Sequence, residues 1–163
     1  MDTVLVTGAS SGIGRATARA FAREDWTVYA GARSEADIAE LSEEGFEAVE
    51  LDVTDPDDCA RSVAELVEDE GTIDCLVNNA GYAQAGAVED VPPRKLNEQF
   101  DVNVFGPHRL LRAALPHMRE TGEGTVVNVS SWVGRVALPG AGGYAASKAA
   151  LEALSDSLRA EVG

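Results

Sequence analysis

The sequence predicts an α/β fold, a doubly wound parallel sheet in three layers with helices on both faces. Three observations predict it. Short β-branched runs alternate with longer stretches of helical period along the whole chain. The strand runs are nearly continuously apolar, as suits parallel strands buried on both faces. No repeat, low-complexity tract or interdomain linker interrupts the alternation, and 163 residues fit one domain with a sizeable core.

The elements follow in order. Thr3–Thr7 reads as the first strand, leading through a Gly-rich turn into a helix over about Ile13–Glu24. Trp26–Gly31 is the second strand. Ser34 then reads as an N-cap with Asp37 as its capping-box partner, opening a helix over Glu35–Glu44 that Gly45 ends. Phe46–Leu51 is the third strand. Asp55-Pro56 places a capping residue before a proline at the first helical position, and that helix runs to Glu70, where Gly71 stops it. Ile73–Asn78 is the fourth strand. After Pro92-Pro93 comes one long helix, about Arg94–Glu120, then a fifth strand over Thr125–Ser130 and a last helix from Tyr144 to the end.

Composition narrows the function. Asp and Glu number 28 against 13 Lys and Arg, a formal charge of −15, and the only lysines are Lys95 and Lys148. Nucleic acid and anionic membrane surfaces would both be repelled. The carboxylates are dispersed, not gathered in a tail. Such a surface suits a cytoplasm at high salt, where the Debye length shrinks to roughly 3 Å at 1 M, so a salt-adapted source is expected. Cys59 and Cys75 give neither a disulfide framework nor metal-ligand spacing and read as reduced, buried residues. The N-terminus runs directly into a strand without a secretory signal, and no apolar run reaches the length of a membrane span. A cytoplasmic protein without a metal is expected.

Between the first strand and first helix lies Thr7-Gly8-Ala9-Ser10-Ser11-Gly12-Ile13-Gly14. Glycines there allow a tight turn and a close approach of backbone to a pyrophosphate, while the helix N-terminus offers free N–H groups to the anion. A Gly triplet alone is equally a structural turn; its place between strand and helix favours dinucleotide binding. The TGxxxGxG spacing resembles that of the short-chain dehydrogenase/reductase family, which implies a Rossmann-type fold and Gly8, Ser10, Ser11, Gly12, Ile13 and Gly14 at the cofactor. Two further motifs resemble the family's. Asp52-Val53, otherwise a simple strand end, matches its adenine-contacting pair. Asn78-Asn79-Ala80-Gly81, otherwise a loop, matches its NNAG motif and puts Asn79, Ala80 and Gly81 beside the cofactor.

The second strand bears on which nicotinamide cofactor is used. NAD enzymes usually carry an acid at its end for the ribose 2′-hydroxyl. Here Tyr29-Ala30-Gly31-Ala32-Arg33 carries none, and Arg33 can pair with a 2′-phosphate. NADP(H) is therefore favoured over NAD(H). Arg15 is expected to be a solvated helix residue.

Tyr144-Ala145-Ala146-Ser147-Lys148 has the spacing YxxxK, which on a helix puts phenol and ammonium on one face. A neighbouring cation favours phenolate and brings a tyrosine closer to acid/base chemistry; alone, the pair is also an ordinary amphipathic feature. Ser131, thirteen residues before Tyr144, matches the family's catalytic serine, with Ser130 as its rival. Asn103, in DVNVFG, matches the family's catalytic asparagine.

The resemblance implies that Ser131 holds the substrate oxygen and that Tyr144 exchanges a proton with it. It also implies that Lys148 tunes Tyr144 and binds the nicotinamide ribose, with Asn103 positioning Lys148 through an ordered water. Hydride would pass directly between nicotinamide and a secondary alcohol or ketone, without a metal. Two competing readings are a non-catalytic cofactor-binding or redox-sensing module and a dimerising remnant. The intact set Asn103, Ser131, Tyr144, Lys148 argues against the module. The two long helices are expected to pair subunits into a homodimer or homotetramer.

After the helix carrying Lys148 the family continues with two more strands and a substrate-covering segment, whereas the chain stops at Gly163. The expectation is a fragment of a longer enzyme, the alternative a short variant covered by association. The Gly turn and the segments VYAGAR and GYAQAGAVED resemble hydroxysteroid or retinol-type dehydrogenases more than acyl-carrier reductases.

Overall fold

The computed structural model describes residues 1–162. β1 (Thr3–Thr7), β2 (Thr27–Ala32), β3 (Glu47–Glu50), β4 (Cys75–Asn78) and β5 (Thr125–Asn128) form one parallel sheet in the order β3-β2-β1-β4-β5. Val4 pairs with Val28 on one side and Cys75 on the other, and Cys75 pairs in turn with Thr125. Alternation along β1 divides the core between the two faces. Val4 and Val6 point to the layer of α1 (Gly12–Arg23) and α2 (Glu35–Glu43), where they meet Ala18 and Leu41. Leu5 points to the layer of α3 (Pro56–Glu70) and α5 (Gly106–Thr121), among Val63, Leu66, Leu110 and Ala114. The predicted three-layer, doubly wound Rossmann-type architecture is the one observed.

Local chemistry sets the element ends. Ser34 Oγ accepts the Asp37 amide at 3.1 Å and opens α2. Asp55 Oδ1 accepts the amides of Asp57 at 2.8 Å and Asp58 at 3.4 Å, with Pro56 beginning α3. Gly71, at φ 82°, closes it in the left-handed conformation. Both cysteines are buried and free, as expected.

Several boundaries differ from the sequence reading. The last helix, α6 (Gly142–Val162), starts two residues before Tyr144. Three strands are shorter than expected. β4 starts only at Cys75, because the residue before it, Asp74, turns its carboxylate onto the Thr3 amide at 2.7 Å. The expected single helix over Arg94–Glu120 is α4 (Pro93–Phe100), a π turn at Asp101–Phe105, and then α5. Pro107 has no N–H to return to the Asn103 carbonyl, and the Gly106 amide reaches back five residues to the Asp101 carbonyl. The wider turn carries Asn103.

β1 and β4 are buried throughout, whereas β5 at the sheet edge alternates and leaves Val127 40% exposed. Among the described residues, no helix is long and apolar enough to cross a membrane, and no cluster of His, Cys, Asp and Glu could hold a metal ion.

Candidate active site

All five strands run the same way, so their C-terminal ends and the loops after them gather at one edge of the sheet. There they enclose a cleft of about 600 Å³. That volume suits a small-molecule or cofactor site, and the sheet edge is where open α/β folds bind ligands.

One wall is the Gly-rich turn. Gly8 sits at φ 62° and Gly12 at φ 52°, a region that side chains disfavour. Ser10, Ser11 and Ile13 line the cleft beside them. Ser11 caps α1 without a side-chain hydrogen bond, so the first-turn amides remain available to a ligand. Gly14 is buried beneath the turn, where a Cβ would overlap the Gly8 carbonyl.

The loop after β4 is tied directly to this turn. Thr7 Oγ1 accepts the amides of Asn79 at 3.0 Å and Ala80 at 2.9 Å. Asn79 Nδ2 donates to the carbonyls of Thr7 at 2.9 Å and Gly8 at 3.2 Å. Asn79, Ala80 and Gly81 thus line the cleft while bracing its opposite wall.

Arg33, just past β2, lines the outer part of the cleft with Asp52 and Val53. Asp52 Oδ1 accepts the Thr54 amide at 2.9 Å and its hydroxyl at 2.7 Å, fixing the loop after β3. Asp58 accepts the Asp52 amide at 3.2 Å, and this bond, with Arg61, holds its carboxyl below the usual carboxylate range. Arg15 pairs with Glu44 and Glu40 and donates from Nη1 to the Ser10 carbonyl at 3.3 Å, instead of standing free in solvent. Asp37, which the sequence offered only as a capping residue, also lines the cleft.

At the inner end stand Tyr144 and Lys148, one turn apart on α6. The Lys148 ammonium lies 5.9 Å from the Tyr144 ring centroid and donates to the Val129 carbonyl at 2.6 Å. Only 5% of Lys148 is exposed, and burial pushes its pKa below the ordinary lysine value. Asn103 is fully buried behind this pair. Its Nδ2 donates to the Tyr82 carbonyl at 2.9 Å and to Ser147 Oγ at 3.1 Å, and its Oδ1 accepts the Tyr82 amide at 3.1 Å. A Cβ on Gly81 would come within 3.0 Å of Asn103 Oδ1 and 3.6 Å of Lys148 Nζ, so this corner admits only glycine without movement.

Ser131 opens a short 3-10 turn at Trp132–Gly134, where its hydroxyl accepts the Val133 amide at 3.4 Å. Its neighbour Ser130, and not Ser131 itself, lines the cleft. Gln99 and Ser147 were missed by the sequence reading. Gln99, one turn before Asn103 and equally buried, donates to the same Tyr82 carbonyl at 3.2 Å, and this i, i+4 spacing was the available signal. Ser147 donates to the Tyr144 carbonyl at 2.8 Å.

The arrangement fits a dinucleotide. Glycine turns leave room for a pyrophosphate at a helix N-terminus, and a phenol and a buried ammonium meet at the inner end.

The family model described as short chain dehydrogenase matches residues 2–163. The uncharacterized oxidoreductase YbbO of Escherichia coli (strain K12) is 40% identical, with 98% of this chain and 60% of the relative covered. Dehydrogenase/reductase SDR family member 7B of Bos taurus is also 40% identical, at 98% and 53%. A short-chain dehydrogenase structure from Streptomyces avermitilis superposes with a TM-score of 0.95 at 46% identity, covering 99% of this chain and 60% of that one. An alcohol dehydrogenase from the archaeon Thermococcus sibiricus, complexed with 5-hydroxy-NADP, gives 0.89 at 34% identity, with 99% and 71% covered. The chain thus spans a little over half the length of these two curated relatives.

Proposed function

The chain belongs to the short-chain dehydrogenase/reductase family, and from that premise we propose that its cleft binds NADP(H) and that it oxidises a secondary alcohol or reduces the corresponding ketone. The observation that carries the reading is that Tyr144 and Lys148, side by side on α6, line the same cleft as the Gly-rich turn.

When bound, the nicotinamide supplies or accepts the hydride. The protein supplies binding and the proton. Gly8, Ser10, Ser11 and Gly12 shape the turn against which the pyrophosphate rests, and the amides of α1 face it. Lys148 gives one of its three donors to Val129 and keeps the others for the nicotinamide ribose. The ammonium stands beside the Tyr144 ring, and the Tyr144 hydroxyl is the group that gives a proton to a carbonyl in reduction and takes one from an alcohol in oxidation. Ser131 accepts the Val133 amide, which leaves its own proton free to hold the substrate oxygen. Asn103 steadies this corner through Tyr82 and Ser147 and, on our reading, reaches Lys148 through an ordered water.

Support for NADP(H) over NAD(H) comes from Arg33 in the cleft wall and from the lack of an acid at the end of β2. The 5-hydroxy-NADP complex of the Thermococcus sibiricus relative points the same way. The dispersed carboxylates and two lysines support a salt-adapted cytoplasmic protein. Its melting temperature should then rise from low to molar KCl, and a constant value would overturn that part. We further propose a homodimer or homotetramer, which a monomer by light scattering in high salt would contradict.

The test of the reading is Tyr144→Phe with a panel of ketones. Turnover should vanish while NADPH binding persists. Full turnover in the variant would overturn the assignment. Binding without turnover in the unsubstituted chain would instead favour a cofactor-binding module.

A further inference from the structure

The cleft has a support on its outer side that the roles above leave unused. Val53 lines the cleft, and its carbonyl points back into the protein. Two donors meet it there, Arg109 Nη1 of α5 at 3.1 Å and Cys59 Sγ of α3 at 3.6 Å. The same guanidinium donates from Nη2 to Asp101 Oδ1 at 2.7 Å and from Nη1 to the Asp101 carbonyl at 3.4 Å. Asp101 begins the π turn that holds Asn103. Gly106, just past that turn, packs so closely that a Cβ would lie 2.9 Å from the Val53 Cβ. One side of the turn therefore braces Val53, while Asn103, two residues on, braces the corner beside Lys148.

We infer that Arg109 is a positioning residue for the adenine side of the cofactor cleft. It acts through Val53 and touches no ligand. Its two-pronged hold on Asp101 fixes the guanidinium, and the fixed guanidinium sets where the Val53 backbone stands in the cleft wall. A lysine has no such fork and cannot hold both partners in this geometry. This inference rests on the dinucleotide reading of the cleft.

The test uses adenosine 2′,5′-bisphosphate, which carries the adenine side without nicotinamide. Its affinity is measured for the unsubstituted chain, Arg109→Met, Arg109→Lys, Asp101→Asn and the exposed control Arg112→Met, with a melting curve for each. Arg109→Met should bind roughly tenfold more weakly, the scale of one lost charge-assisted hydrogen bond. Arg109→Lys and Asp101→Asn should also be weakened, and Arg112→Met should match the unsubstituted chain. A purely structural role would lower melting temperatures and leave the affinity of the folded variants unchanged, and that result overturns the inference. Should Arg109→Met fail to fold, Arg109→Lys and Asp101→Asn decide on the same criterion. Failure of the unsubstituted chain to bind either adenosine 2′,5′-bisphosphate or adenosine 5′-monophosphate would overturn the dinucleotide reading together with this one, whereas normal binding in folded Arg109 variants overturns this one alone.

Discussion

Asn103 and Ser147, 44 residues apart in sequence, share a buried hydrogen bond of 3.1 Å that joins the π turn to α6. The same carboxamide holds both backbone groups of Tyr82. Asn103→Leu would leave the Tyr82 amide without its partner, while Gln99 still donates to the Tyr82 carbonyl, and an unpaired buried polar group costs about 1–3 kcal/mol. We expect urea unfolding to show a loss of about 1–3 kcal/mol. A change below about 0.5 kcal/mol, the scatter of ordinary surface substitutions, would contradict this account of the corner.

Gly14→Ala tests the close packing under the phosphate turn. The added methyl meets the Gly8 carbonyl and Asn79 Nδ2, both part of the braced wall. Overpacking of this kind costs roughly 1–3 kcal/mol. Thermal unfolding should show that loss, and NADPH affinity should fall with it. A variant with unchanged melting and affinity would mean that the turn is free to move.

Lys148 illustrates a conflict between stability and chemistry. Its pKa is lowered by burial, so between its folded value and the ordinary 10.5 the folded chain holds fewer protons than the unfolded chain. Stability contributed by this group therefore rises with pH across that window. Lys148→Met should flatten that rise with pH. The same variant should lose turnover and bind NADPH more weakly. An unchanged rise of stability with pH in the variant would contradict the prediction.

The acid limb has a different origin. Arg19 and Arg15 both donate to the Glu44 carboxylate, at 2.7 Å each from their Nε atoms, and hold its pKa below the ordinary 4.5. Because the folded value is depressed, this contribution is complete above 4.5 and is lost as pH falls through the folded value. Glu44→Gln should flatten the fall in melting temperature over that range and reduce its response to salt. An unchanged acid limb would assign acid unfolding to other carboxylates.

Much of this was legible in the sequence because local chemistry wrote it there. Ser34, Asp55-Pro56 and Gly71 signal helix ends through capping and φ preferences that need no tertiary context. The apolar runs of β1 and β4 signal strands buried on both faces. The π turn was not legible. Pro107 announced a missing donor, but what the chain would do about it depended on Gly106 packing against Val53. The partners of Asn103 were hidden for a similar reason, since Tyr82 and Ser147 meet it only once the β4 loop and α6 converge. Arg33 was expected at the cleft and stands there, but Asp37 beside it was seen only as a cap. The distance of Ser131 in sequence from Tyr144 marks it, while its neighbour Ser130 is the one lining the cleft.

The central claim is an NADP(H) site built on the Gly-rich turn and Arg33. Its most direct test is a titration of the chain with NADPH and then NADH in molar KCl, following the fluorescence of Trp26 and of Trp132, which is 64% exposed beside Ser131. The account predicts saturable NADPH binding and much weaker NADH binding, with the difference abolished in Arg33→Ala. Equal affinity for both cofactors would contradict the role of Arg33. Binding of neither would contradict the cofactor site itself in this chain.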